Sequence, residues 1–123
     1  MSGEKCDFTN NAAGGYNLVS KNKNIGASSS CFIPKDYIVN NPAFRIQRVD
    51  IKEQHRNKGF GYELTAATLK GLQEYILNSS DEMVRQAFIT VENAIGRKSK
   101  LYEILGFEYV FDDCDAMVFK SDQ

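Results

Sequence analysis

The residues that could do chemistry are grouped most tightly at Arg56-x-x-Gly59-x-Gly61, inside the run Arg56-Asn57-Lys58-Gly59-Phe60-Gly61. Two glycines let the backbone turn sharply and approach a ligand with no side chain in the way. The segment before this run alternates apolar and polar, and the segment after it has helical spacing. The loop therefore opens onto a helix N-terminus, whose first N–H groups lack intrahelical partners and carry the positive end of the dipole. Arg56 and Lys58 add positive charge at the same place. Strand, basic glycine loop and helix start together make a binding site for an anion such as a pyrophosphate. As turn chemistry alone, a glycine loop before a helix is common. The run is not a P-loop, because the Gly-Lys-Ser/Thr ending is missing. Nor is it a dinucleotide fingerprint, which needs a third glycine in another register.

The elements that must position this loop can be read from periodicity. Phe44 to Ile51 alternates as a half-buried strand does. From Gly61 to about Leu77, Leu64, Ala67, Thr68, Gly71, Leu72, Tyr75 and Ile76 recur at spacings of three and four, giving one apolar helical face. Asn78-Ser79-Ser80-Asp81 stops that helix. Upstream, Tyr16 to Ser20 and Ile25 to Ile33 read as strands joined by the turn Lys21-Asn22-Lys23-Asn24. Pro34 and Pro42 bracket a connection that cannot be a regular helix. Downstream come a strand at Ala87 to Val91, a helix at Arg97 to Leu105 closed by Gly106, and strands at Phe107 to Phe111 and Ala116 to Lys120. Residues 1 to 15 read as loose. This order predicts one α/β domain over residues 1 to 123, built on a mixed sheet.

Composition narrows the classes of function. The 123 residues suit a single core, and a formal charge of −1 from 15 basic and 16 acidic side chains gives no field to recruit nucleic acid or an anionic membrane. No apolar run approaches the roughly 20 residues that span a bilayer, and the polar start is not a secretory signal. Cys6, Cys31 and Cys114 are widely spaced and accompanied by one histidine, His55, so no metal site is expected and the thiols read as reduced, in a cytoplasmic protein.

The run from Val49 to Leu64 resembles the acetyl-CoA-binding motif of the GNAT acetyltransferases, Arg/Gln-x-x-Gly-x-Gly/Ala after a strand and opening a helix. Leu101-Tyr102-Glu103-Ile104-Leu105-Gly106-Phe107 is similar to that family's second motif. The resemblance covers residues 44 to 119 and is poor before them. It implies an acyl-CoA N-acyltransferase fold with a shortened N-terminal part, and acetyl-CoA as co-substrate. On that footing, Arg56, Asn57, Lys58, Gly59, Phe60 and Gly61 hold the pyrophosphate. Val49 and Ile51 pair their backbone with the pantetheine arm, and an N–H near Val49 or Asp50 polarises the acetyl carbonyl. Asn93 is similar to an asparagine that contacts the cofactor, and a turn role fits it as well. Tyr102 matches the tyrosine that protonates the departing thiolate, while packing on the sheet is the plain alternative.

The resemblance leaves the base open among Asp50, Glu53 and Glu92, with His55 behind them; each also reads as a solvated charge. The turn Asp112, Asp113, Asp115 would favour a cationic acceptor, and it reads equally as a polar hairpin. The expected partner is an amine acceptor, small molecule or protein; the acceptor site reads as open, as completed by a partner chain such as a second copy, or as shaped by the Pro34–Pro42 connection. The second functional class is a CoA-binding module without turnover. A third, nucleic-acid binding through Arg45, Arg48, His55, Arg56, Lys58, Arg97, Lys98 and Lys100, is set aside, since a phosphorylated cofactor already accounts for those charges.

Overall fold

A computed structural model describes residues 7–10, 15–20, 23–92, 94, 97–111 and 115–119. Its strands are β1 (Asp7–Asn10), β2 (Tyr16–Ser20), β3 (Lys23–Asp36), β4 (Asn41–Ile51), β5 (Phe88–Val91), β6 (Phe107–Tyr109) and β7 (Met117–Phe119), and its helices are α1 (Phe60–Asn78), α2 (Glu82–Arg85) and α3 (Arg97–Leu105). The residues group into two units, Met1–Cys31 with Ile46–Gly71, and Phe32–Arg45 with Leu72–Gln123.

In the first unit β1, β2, β3 and β4 are neighbours in that order. β1 and β2 pair antiparallel from Asp7↔Val19 to Asn10↔Tyr16. Residues 7–10 are thus a strand, where the sequence reads as loose; with one apolar side chain among four, β1 carries no alternating signal. β2 pairs antiparallel with β3, and the register slips between Leu18↔Gly26 and Val19↔Asn24, leaving Ile25 as a bulge. The bulge is tied down on both sides. The Ile25 carbonyl accepts the Lys52 N–H at 2.9 Å, and the Gly26 N–H donates to Asn24 Oδ1 at 3.0 Å. Lys23 and Asn24 therefore belong to a strand and not to the expected turn.

The core of this unit is Leu18, Ile25, Phe60 and Leu64, with Tyr16, Val49 and Ile51 packed against it. Each such side chain contributes about 1.5–3 kcal/mol when fully buried. This cluster holds the start of α1 against the strands and so fixes the loop before it. Deeper in α1, Thr68 Oγ1 donates to the Leu64 carbonyl at 2.8 Å and lies 2.6 Å from Ser28 Oγ. The buried polar groups of the helix face are thereby satisfied.

In the second unit the order is β3, β4, β5, β7, β6. β7 pairs antiparallel with β5 (Thr90↔Val118) and with β6 (Glu108↔Val118). Both prolines fall at strand positions, Pro34 in β3 and Pro42 in β4, so the expected connection contracts to a turn of four residues, 37–40. Asn40 there takes φ +53° and donates its N–H to the Asp36 carbonyl at 2.7 Å. Ile38, Phe44, Leu72, Ile89, Val91, Phe107 and Met117 are buried. Tyr75, expected on the buried helix face, is 58% exposed and meets Phe44 edge-on at 5.7 Å. The stop at Asn78–Asp81 also opens a further helical turn, α2, because Asp81 Oδ1 caps the Met83 N–H at 2.9 Å.

Candidate functional site

The loop between β4 and α1 is built in three steps. After Ile51, residues Glu53–His55 form a single 3-10 turn closed by His55 N–H to the Lys52 carbonyl (2.8 Å) and Arg56 N–H to the Glu53 carbonyl (3.2 Å). The chain then passes through Asn57 at φ +65° and Gly59 at φ +83°. Left-handed conformations cost little only for glycine and, to a lesser degree, asparagine, so these residue types suit the turn. The first helical bond of α1 runs from the Glu63 N–H to the Gly59 carbonyl at 3.1 Å. The N–H groups ahead of it have no acceptor within the helix.

Gly61 has no such backbone reason to be glycine. A Cβ added there, or at Gly59, would meet nothing within 4 Å. The space a side chain would fill is open, at the N-terminus of a 19-residue helix, with exposed Arg56 and Lys58 beside it in sequence. That is the geometry an anion cradle requires, and a CoA pyrophosphate fits it in charge and in donor type. Arg56 is steadied by its own Nε, which donates to the Ile51 carbonyl at 2.8 Å. The carbonyl expected to pair with a pantetheine arm thus already accepts one bond. The side chains of Val49 and Ile51 pack toward the core cluster.

The first unit therefore brings together Val49, Asp50, Ile51, Glu53 and the whole of Arg56–Gly61. Asp50 forms an exposed ion pair with Arg48, two residues away. Glu53 is exposed. His55 Nδ1 is buried with no hydrogen-bond partner among the described residues.

The second unit holds Tyr102 and Glu92. Tyr102 lies in α3, buried and edge-on to Phe107 at 5.2 Å. Burial pushes its phenol above the ordinary tyrosine value, because the charged form would lose water. Glu92 directly follows β5 and is engaged at both oxygens: Oε1 by Arg45 Nη1 and Oε2 by the Tyr37 hydroxyl. Asn93, Asp112, Asp113, Cys6 and Cys114 lie outside the described residues. Cys31 is a free, half-buried thiol. Among the described residues no three His, Cys, Asp or Glu side chains gather as a metal site, and no helix is long and apolar enough to cross a membrane.

Sequence reasoning missed the residues that hold Glu92. Arg45 also bonds Asp36, at the end of β3; its only sequence signal is a charge on an otherwise regular strand. Asp36 sits between two prolines, where an acidic residue reads as loop.

No protein-family model matches the chain, and no curated protein does. Solved structures do. An AtaTR complex bound with AcCoA is 20% identical, with a TM-score of 0.63 over 85% of this chain and 64% of that one. A KacTA–DNA complex is 20% identical, with a TM-score of 0.62 over 85% and 65%. Arabidopsis thaliana Naa50, in complex with the bisubstrate analogue CoA-Ac-MVNAL, is 16% identical, with a TM-score of 0.56 over 89% and 74%. The chain spans slightly less than two thirds of the length of the AtaTR and KacTA chains. The order of strands and helices agrees with these structures, and the chain has the mixed α/β fold of the GNAT acetyltransferases.

Proposed function

We propose that the chain is an N-acetyltransferase that uses acetyl-CoA and delivers the acetyl group directly to an amine, on a small molecule or a protein. One observation carries this reading: a left-handed turn at Asn57 and Gly59 leads into open space at Gly61, at the head of α1. It is supported by the fold and by two solved neighbours that hold AcCoA or a CoA-peptide analogue. When bound, the cofactor supplies an activated acetyl thioester.

The protein's own work is to hold and orient. The loop N–H groups, Arg56 and Lys58 take the phosphates. The β4 backbone at Val49 to Ile51 aligns the arm, and Asn93 adds a contact to it. Tyr102, kept protonated by burial, is the proton donor toward the thiolate sulfur. A phenol of raised pKa holds its proton at neutral pH, so the donor is in its protonated form when the C–S bond breaks and the thiolate sulfur takes the proton. Asp50, Glu53 and Glu92 are the candidate carboxylates for taking the ammonium proton.

Titration calorimetry with acetyl-CoA, with Gly61→Asp as the control, tests the reading. Micromolar binding that the substitution removes supports it. No binding by the parent protein sinks it.

A second reading has an observation of its own. Asp50 and Glu92 are already paired with arginines, so neither is a free base, which suits a CoA-binding module without turnover. Release of CoA thiol in an amine screen separates the two: thiol appearing above the no-enzyme rate rules out the module.

A further inference from the structure

Outside the anion loop, the second unit surrounds Glu92 with a network whose other members, Asp36, Tyr37 and Thr90, the mechanism above does not use. Asp36 is 1% exposed and accepts three donors: the Ile38 N–H at 2.8 Å, Thr90 Oγ1 at 2.8 Å, and Arg45 Nη2. The Arg45 side chain is only 12% exposed. It turns its other terminal nitrogen to Glu92 and lies with Cζ 5.1 Å from the centre of the Tyr37 ring. The Tyr37 hydroxyl closes the set by donating to Glu92 Oε2 at 2.5 Å.

Stability alone does not account for this arrangement. Burying a carboxylate and a guanidinium costs several kcal/mol per ion in lost hydration, and well-packed apolar residues often serve a fold as well or better. Arg45 Nε, moreover, is buried without a partner among the described residues, a further cost. What the network does achieve is direction. Asp36 and Thr90 fix Arg45, and Arg45 with Tyr37 fixes Glu92, so the order of burial runs from the closed end outward. The Glu92 side chain ends 40% exposed. An ionised carboxylate offers about four lone-pair sites, and two are taken here. One arginine against two carboxylates leaves the set with a net charge of −1, and its open end is the negative one.

We propose that Asp36 and Arg45 are positioning residues that present Glu92 as the carboxylate receiving the ammonium group of the acceptor. The proposal rests on the acetyltransferase reading and assigns Glu92 to recognition instead of proton removal. The Tyr37 ring, 62% exposed, adds an aromatic wall suited to an alkylammonium.

The test uses the full chain, a lysine derivative blocked at its α-amine and carboxyl (a cation), and the same compound acetylated at Nε (neutral). In a 15N NMR titration the cation should shift the Glu92 and Ala94 amides, and the neutral compound should not. Glu92→Gln should weaken cation binding about tenfold and raise its KM in the transfer assay more than it lowers kcat. Arg45→Lys keeps the charge but loses the fork that reaches two carboxylates, and should raise the same KM with Glu92 intact and acetyl-CoA affinity unchanged. Asp36→Asn should do likewise where it folds. Equal binding of cation and neutral compound, or a Glu92→Gln protein with unchanged cation affinity, overturns the proposal. Loss of the parent reading shows elsewhere, as a protein that binds no acetyl-CoA.

Discussion

A β-carbon placed on Gly71 would stand 2.2 Å from the hydroxyl oxygen of Tyr16 and under 3 Å from two of its ring carbons. Mid-helix glycine ordinarily costs about 1 kcal/mol relative to alanine, so Gly71→Ala would normally stabilise. Here the Tyr16 ring, set edge-on to Phe8 and packed on the first unit's core, must move aside. Overpacking of this kind costs about 1–3 kcal/mol. The expected result is a lower Tm for Gly71→Ala, read by thermal denaturation; a higher Tm would show that Tyr16 has room to swing.

Gly61→Asp separates helix stability from anion binding. An acidic side chain in the first turn favours the helix dipole by about 0.3–1 kcal/mol, and nothing stands in its way. The Tm should hold or rise while acetyl-CoA affinity falls at least about tenfold. A fall in Tm together with binding would point to damage instead of charge repulsion.

Tyr102→Phe should lower turnover by about 10²-fold, the scale of one general acid, and leave the calorimetric Kd for acetyl-CoA almost unmoved. Because burial raises the phenol pKa, the acid stays protonated past pH 10, so no alkaline loss of activity below that pH should belong to it. The linkage sign is the same for stability. The contribution is fully present below the unfolded value near 10, and it declines as pH rises through the higher folded value. Parent Tm should fall as pH rises above 10, and Tyr102→Phe should lessen that fall.

Thr90→Val and Asp36→Ala should differ in size. The first removes one bond to a carboxylate that keeps its other donors, about 1 kcal/mol. The second takes the buried carboxylate from Arg45 Nη2 and leaves the guanidinium with Glu92 as its remaining carboxylate among the described residues, about 3–5 kcal/mol. Urea denaturation at fixed ionic strength measures both, and equal losses would mean that Arg45 escapes to solvent.

Arg56 and Lys58 are exposed, so their pull on a phosphate is screened by salt. Acetyl-CoA affinity should fall steadily between about 10 and 500 mM NaCl, while the parent Tm changes little. A flat salt response would leave the backbone N–H groups as the whole of the site.

What could be read from the chain was whatever repeats locally. Leu64, Thr68 and Leu72 mark α1 by their spacing, and Phe44 to Ile51 marks β4 by alternation. Gly59 and Gly61 stand out because their neighbours in sequence are also their neighbours in the loop. The Asp36–Arg45–Glu92 network was illegible for the opposite reason. Its members lie 9 and 47 residues apart, and only strand pairing brings them together. β1 escaped notice because four residues with one apolar side chain have no period, and Tyr75 was misplaced because the apolar face narrows before the helix ends.

The open space at Gly61 also says how this protein should be engineered. A programme that ranks substitutions by helix propensity would choose alanine there early, since no neighbouring atom objects and about 1 kcal/mol is on offer. The most attractive stabilising change would then sit in the mouth of the anion loop. Thermal selection and cofactor selection pull this position in opposite directions, and libraries built for robustness should hold it fixed.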